Sequence, residues 1–305
     1  MLRVVMFDLG RTLIDERNQP FPHVAEALSG IAQLVDARER PLRSCLVSDF
    51  KLAAPPITAA KLRPLLAEYL TILEGAGLRS AFEPVERRIT LSSHAGVFKP
   101  ERALFETALR RLGSRALLSE CLLITEDGAH IQAVQAYGML TLQFRSDTTP
   151  QSDFSDWSQA PLLVAHLVSP SSGLNLVPAL GAYLAVHHPE LMLDAVEREG
   201  ASGLRVRCRL WQALEQASLG ALSGLHVPLP VVGEVRLGAR GELKELQVTP
   251  PTPEALAEAA TFVVGLHKRG QIVVQPGVAP PHATHEIALD VRGRRKLVRR
   301  RFGAG

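Results

Sequence analysis

Residues 4–15 read VVMFDLGRTLID, an apolar run that stops at Asp8 and is followed by a turn through Gly10, Arg11 and Thr12. A carboxylate just past a buried strand stands where open α/β sheets bind their ligands, at the carboxyl ends of the strands. Other polar groups stand in similar places. Ser48 follows the apolar run Cys45–Val47, where a hydroxyl can donate a hydrogen bond to a ligand or simply start a turn. Lys99 stands just before Pro100 at a helix start, the less favoured end for a cation, which mildly favours a purpose beyond solvation. Glu126 and Asp127 follow the run Cys121–Ile124. Arg11 could clamp a phosphate or carboxylate, or be an exposed turn residue.

These groups can act together only if a sheet brings the ends of their strands side by side. Short, continuously apolar runs at Leu2–Phe7, Cys45–Val47, Ile89–Leu91, Cys121–Ile124 and Leu140–Phe144 predict strands covered on both faces. Amphipathic segments lie between them. The clearest starts at Pro100, places Leu104, Phe105, Ala108, Leu109 and Leu112 on one face, and ends at Gly113. The stretch PFPHVAEALSGIAQL fits one helix, and a longer helical pattern surrounds Leu62–Leu73. Alternating β and α units predict a parallel sheet with right-handed crossovers.

Four ordered sites, Asp8 with Thr12, Ser48, Lys99 in GVFKPERALFETAL, and CLLITEDGAHIQAVQAYGM, resemble the motifs of the haloacid dehalogenase (HAD)-like hydrolase superfamily. The resemblance covers about residues 1–146. It implies an α/β, Rossmann-like HAD core with a mostly parallel sheet. It also implies Asp8 as a nucleophile forming an aspartyl-phosphate, with Lys99 and Ser48 stabilising the phosphoryl group. Thr12 and Arg11 fall beside them on the phosphate side. The family's metal site maps onto Asp8, the Gly10 carbonyl and Glu126, with Asp127 adjacent, an oxygen-rich set suited to Mg²⁺.

Two positions depart from the family pattern D-x-D-G-T. The second aspartate, which protonates the leaving group and then activates water, is Gly10, and the usual glycine is Arg11. His130 falls at the second aspartate of the fourth motif, or is a helix-face residue without a catalytic role. Asp15, Asp49 and Asp127 are the candidates for a replacement acid. Asp8 and Ser48 stand 40 residues apart, and Ser48 and Lys99 51 apart, so no large cap insertion fits. The expected activity is Mg²⁺-dependent hydrolysis of a phosphorylated small molecule or macromolecule. The alternative is a catalytically inactive HAD-like protein that binds a protein or nucleic acid. Carbon–halogen hydrolysis ranks third: the family's dehalogenases also lack the second aspartate, but here the cap is missing.

The 305 residues are long enough for two domains, expected as a core over 1–148, a linker over 149–160 and a smaller α+β domain over 161–305. A net charge of +3 is too small by itself to imply a polyanionic partner, and no stretch reads as a membrane span or signal peptide, so a cytoplasmic location is expected. Cys45 and Cys121 fall in apolar runs and read as inert core thiols. In the second half, helices are expected at Leu176–His187, Pro189–Glu199, Ala255–Lys268 and, less clearly, Cys208–Ser218. Residues 234–248 read as two strands around a turn, and 286–302 as strand, turn and strand. His282, His285 and Glu286 beside Pro280-Pro281 read as a loop rather than a metal site. Seven basic residues from Arg292 to Arg301 either contact nucleic-acid phosphates or guard a strand edge.

Overall fold

The structure, a computed structural model, describes residues 1–147, 152–169, 174–199, 203–274 and 282–300. The chain divides into two compact units. The first comprises Met1–Val186 with Gly238–Glu242, and the second His187–Leu237 with Leu243–Gly305.

The first unit runs β1 (Val4–Phe7), α1 (Val24–Ala32), β2 (Arg43–Ser48), α2 (Ala59–Gly75), α3 (Val85–Arg88), β3 (Ile89–Leu91), α4 (Ser92–Ala95), α5 (Arg102–Leu112), β4 (Cys121–Thr125), α6 (Gly128–Gln135), β5 (Leu140–Gln143), α7 (Ala160–Val168) and α8 (Leu176–His187). The five expected strands form one sheet in the order β3-β2-β1-β4-β5, every pair parallel. Val4 to Phe7 are wholly buried, as a central strand covered on both faces requires. Val4 and Met6 join one core with Cys45, Val47, Leu123 and the apolar stripe of α5. Phe7 points the other way, to Phe82 and Trp157, because side chains alternate across a strand. The strand order reverses beside β1, so the crevice at the ends of β1 and β4 is the topological switch point. No cap domain interrupts the core: α1 alone spans the β1–β2 connection, and α2, a 3₁₀ turn and α3 fill β2–β3.

The expected linker at 149–160 is corrected. Of its described residues, Phe154, Trp157 and Ala160 are buried, and α7 packs on α1. The first unit therefore continues through Val186 rather than ending at 148. The polar residues around Phe154 and Trp157 hide two aromatic anchors that carry no periodicity.

The second unit is a sheet in the order β10-β11-β12-β8-β7-β6, with β9 also paired to β8. Its elements are β6 (Leu191–Glu199), β7 (Gly203–Leu214), β8 (Leu225–Leu237), β9 (Leu243–Val248), α9 (Pro253–Lys268), β10 (Ile272–Val273), β11 (His285–Leu289) and β12 (Arg295–Arg299). The helices expected at 189–199 and 208–218 are strands β6 and β7. Their alternation, with Leu204, Val206 and Cys208 buried between exposed Arg205, Arg207 and Arg209, has the period of a half-covered strand. His285 and Glu286 lie on β11 rather than in a loop. The basic segment is no strand edge, since β12 pairs with both β11 and β8. Asp290 binds Arg294 and Lys296, while Arg301 lies outside the described residues. Among the described residues no helix is long and apolar enough to cross a membrane.

Candidate functional site

Asp8 follows β1 directly. Its amide donates to the Ile124 carbonyl at 3.0 Å, which extends the β1–β4 ladder and fixes the carboxylate at the crevice. Asp8 is 6% exposed, and a buried carboxylate needs partners. Its Oδ1 accepts from the Leu9 amide at 2.8 Å, and its Oδ2 from the Thr125 hydroxyl at 3.1 Å. Oδ2 also forms an ion pair with Lys99 Nζ, and Lys99 is itself 7% exposed. Lys99 is aimed by Asp49, whose Oδ1 accepts from the Lys99 amide at 2.8 Å. Asp49 follows Ser48, so the end of β2 positions the lysine. Ser48 is the last residue of β2 and 4% exposed.

The turn after Asp8 is tied to the end of β4. The Thr12 hydroxyl donates to Glu126 Oε2 at 2.5 Å, and the Glu126 amide donates back to Thr12 Oγ1 at 3.1 Å. Trp157 Nε1 donates to the Thr12 carbonyl at 3.0 Å from beneath. Thr125 Oγ1 lies 3.1 Å from Asp8 and 3.3 Å from Glu126 Oε2, so a single hydroxyl stands between the two carboxylates. Within the turn, the Thr12, Leu13 and Ile14 amides all donate to the Leu9 carbonyl, and the Gly10 carbonyl takes no part. Two carboxylates against one buried lysine leave a local excess of negative charge. That charge balance, and a donor set of oxygens, fit a hard divalent cation.

The other expected residues lie elsewhere. Arg11 is exposed, with φ 56°, and pairs with Glu16 at 2.8 Å rather than with Asp8. It lines a cleft of about 590 Å³ with Glu126, Asp127 and Arg145. Asp127 caps α6, its Oδ1 accepting from the Ala129 and His130 amides. Burial opposes its charge, but those amides and His130 hold the carboxyl below its usual range. The expected metal set is therefore not gathered whole, because Asp127 is engaged by its own helix. Among the described residues no three His, Cys, Asp or Glu side chains are grouped to hold a metal, and this covers His285 and Glu286 too. The candidate replacement acids are also engaged. Asp15 accepts from the Arg17 and Gln19 amides, and Asp49 from Lys99. His130 sits on α6, with Nδ1 3.6 Å from Asp127 Oδ2.

The ends of β1, β2 and β4 thus present Asp8, Ser48 and Glu126 to one crevice region, and the loop between α4 and α5 adds the Lys99 ammonium. The first unit has the Rossmann-like α/β architecture, with a parallel five-stranded sheet, that the sequence resemblance implies. No protein-family model matches the chain, and no curated protein matches it. Solved structures to which it is similar include the putative HAD-hydrolase YfnB from Bacillus subtilis, bound to magnesium, at 16% identity and TM-score 0.36. That likeness covers 50% of this chain and 57% of YfnB. The L-2-haloacid dehalogenase from Xanthobacter autotrophicus is 16% identical over 61% of this chain and 88% of its own, with TM-score 0.34. A HAD family hydrolase from Deinococcus radiodurans R1 with bound phosphate and sodium is 19% identical, over 54% and 60%, with TM-score 0.29.

Two residues that tie the candidate site together were given no functional role in the sequence. Thr125 falls at the glycine of the fourth motif, just past the run Cys121–Ile124, and Trp157 lies in the polar stretch expected as a linker.

Proposed function

We propose that this chain hydrolyses phosphate esters with Mg²⁺ through an aspartyl-phosphate on Asp8. The observation that carries the reading is the buried Asp8–Lys99 ion pair at the switch-point crevice. A buried pair is poor value as a source of stability, because desolvation offsets most of its attraction. Placed at strand ends among hydroxyls, it suits a carboxylate that must attack an anionic group.

Asp8 attacks phosphorus, the bond from phosphorus to the leaving oxygen breaks, and the departing oxygen takes its proton from solvent, since Gly10 offers none. Lys99 and Ser48 stabilise the charge spread over the transferring oxygens. Water then attacks the phosphorus of the aspartyl-phosphate, which releases inorganic phosphate and regenerates the carboxylate. Asp8, Glu126 and the Gly10 carbonyl would hold Mg²⁺. When bound, the ion supplies neutralising charge for the approach of one anion to another.

A second reading is a catalytically inactive HAD-like protein that binds a protein or nucleic acid. It is favoured by Gly10 together with the local engagement of Asp15, Asp49 and Asp127. A panel of phosphate esters with Mg²⁺ and the Asp8→Asn control separates the two. Turnover by wild type that Asp8→Asn abolishes supports hydrolysis. Equal silence from both, with no Mg²⁺ binding by calorimetry, leaves the binding role.

A further inference from the structure

In the second unit, β7 pairs with β8 along almost its whole length, from Leu225 to Arg236. The other edge of β8 is paired only toward its ends. β12 meets it at one position, Lys296 opposite His226, and β9 only from Gly233 onward. Pro228 and Pro230 lie in the stretch between, and residues without an N–H discourage a further strand there. A cavity of about 570 Å³ opens at this stretch, bordered by β7, β8, α9, β11 and β12. That volume is in the range of small-molecule sites, and every lining residue belongs to the second unit.

The body of the cavity is apolar. Val227, Leu229 and Leu297 supply aliphatic wall, and Trp211 and Phe262 supply two aromatic rings. Both rings are held in place. Trp211 Nε1 donates to Met192 Sδ at 2.9 Å, and Lys296 Nζ stands 4.5 Å from the ring centroid. Phe262 packs edge-on against the His285 ring at 6.1 Å and is 53% exposed, so it stands at the mouth. Three charged residues line the cavity: Arg209, Arg299 and Glu258. Arg209 is already held by Asp194 through Nε and Nη2. Arg299 is the cross-strand neighbour of His285, and its guanidinium has no partner among the described residues. His285 adds no charge: burial and the Arg299 charge lower its titration, and its Nδ1 is engaged by the Thr284 hydroxyl at 2.8 Å. A flat apolar body with one uncommitted guanidinium at its rim suits a planar ligand that ends in a carboxylate, which the guanidinium fork matches with two hydrogen bonds.

We propose that this cavity binds a small aromatic carboxylate, with its ring against Trp211 and Phe262 and its carboxylate on Arg299. The proposal is independent of hydrolysis at Asp8.

Calorimetric titration of the full chain with 2-naphthoate tests this, beside the uncharged 2-naphthamide and the cationic 2-naphthylmethylamine. Naphthoate should bind more tightly than either. Arg299→Gln should weaken it by about tenfold, the weight of a hydrogen bond to a charged group. That variant should keep its melting temperature, because Arg299 is exposed and unpaired among the described residues. Glu258→Gln removes an opposing charge and should tighten binding. Arg207→Gln, on β7 but outside the cavity and paired with Glu197, should leave affinity unchanged. Absence of naphthoate binding by wild type overturns the proposal. So does equal affinity for the amide, tighter binding of the amine, a loss of affinity on Glu258→Gln, indifference to Arg299→Gln, or an equal loss with Arg207→Gln.

Discussion

Gly10→Asp puts a carboxylate where the proposed phosphate-ester hydrolysis lacks its proton donor. A Cβ built at Gly10 meets no atom within 4 Å, and the backbone there is outside the left-handed region, so the substitution is free of steric strain. Replacing glycine at a compatible backbone stabilises by about 0.4–1 kcal/mol through the unfolded chain. The new charge, near Asp8 and Glu126, opposes this by about 1 kcal/mol for a pair at 4 Å in water. The net change in stability is therefore within about 1 kcal/mol of zero. Catalysis should change far more. A positioned acid or base contributes roughly 10²–10⁴-fold, or about 2.7–5.4 kcal/mol of barrier. The gain must depend on the leaving group, because a phenolate that departs easily needs little protonation and an alkoxide needs much. The assay is kcat/KM for a series of aryl and alkyl phosphates with Mg²⁺. Wild type should show steep dependence on leaving-group basicity. Gly10→Asp should flatten it, with about 10²-fold or more gained on alkyl phosphates and about tenfold or less on p-nitrophenyl phosphate. Equal gains across the series, or no gain on alkyl phosphates from a folded variant, would refute the assignment of the missing acid to this position.

Three further outcomes are expected. Lys99→Met leaves Asp8 buried without its counter-ion and should destabilise by about 3–5 kcal/mol; adding Asp8→Asn should recover part of that loss in a denaturant-melt double-mutant cycle, and simple additivity would show the pair is not coupled. His94 accepts from the Leu91 amide, and burial, reinforced by the Arg111 charge, lowers its pKa from 6.5 to about 4. The folded state thus keeps His94 neutral while the unfolded chain protonates it below 6.5, so its contribution is complete above that pH and lost as pH falls toward 4. His94→Gln should reduce the fall in melting temperature over that window, and an unchanged slope would exclude His94 as its source. Arg11 holds a left-handed φ of 56° and only an exposed pair with Glu16, so Arg11→Gly should be neutral or stabilising by about 1 kcal/mol. A loss above about 1 kcal/mol in chemical denaturation would show that the arginine does more than bridge to Glu16.

Much of this molecule is legible from its residues alone. The five apolar runs are the five strands, because a parallel strand buried on both faces must be short and continuously apolar. The stripe from Leu104 to Leu112 is the buried face of α5. Asp8, Ser48 and Lys99 sit at strand ends because each directly follows, or is tied to the end of, such a run. The second unit was less readable. Exposed Arg205, Arg207 and Arg209 alternate with apolar residues over β7, and a pattern read for helix there hid a period of two. Tertiary structure alone decided the rest. Only packing across 145 positions puts the Trp157 indole under Thr12. Only the side-by-side ends of β1 and β4 put Thr125 between two carboxylates. Arg11 and Asp127 lie next to site residues in sequence yet turn to Glu16 and to the α6 amides, since local hydrogen bonds engage them first. Local sequence determined which residues stand at the strand ends. The long-range packing determined which of them face one another, because that depends on contacts no local pattern encodes.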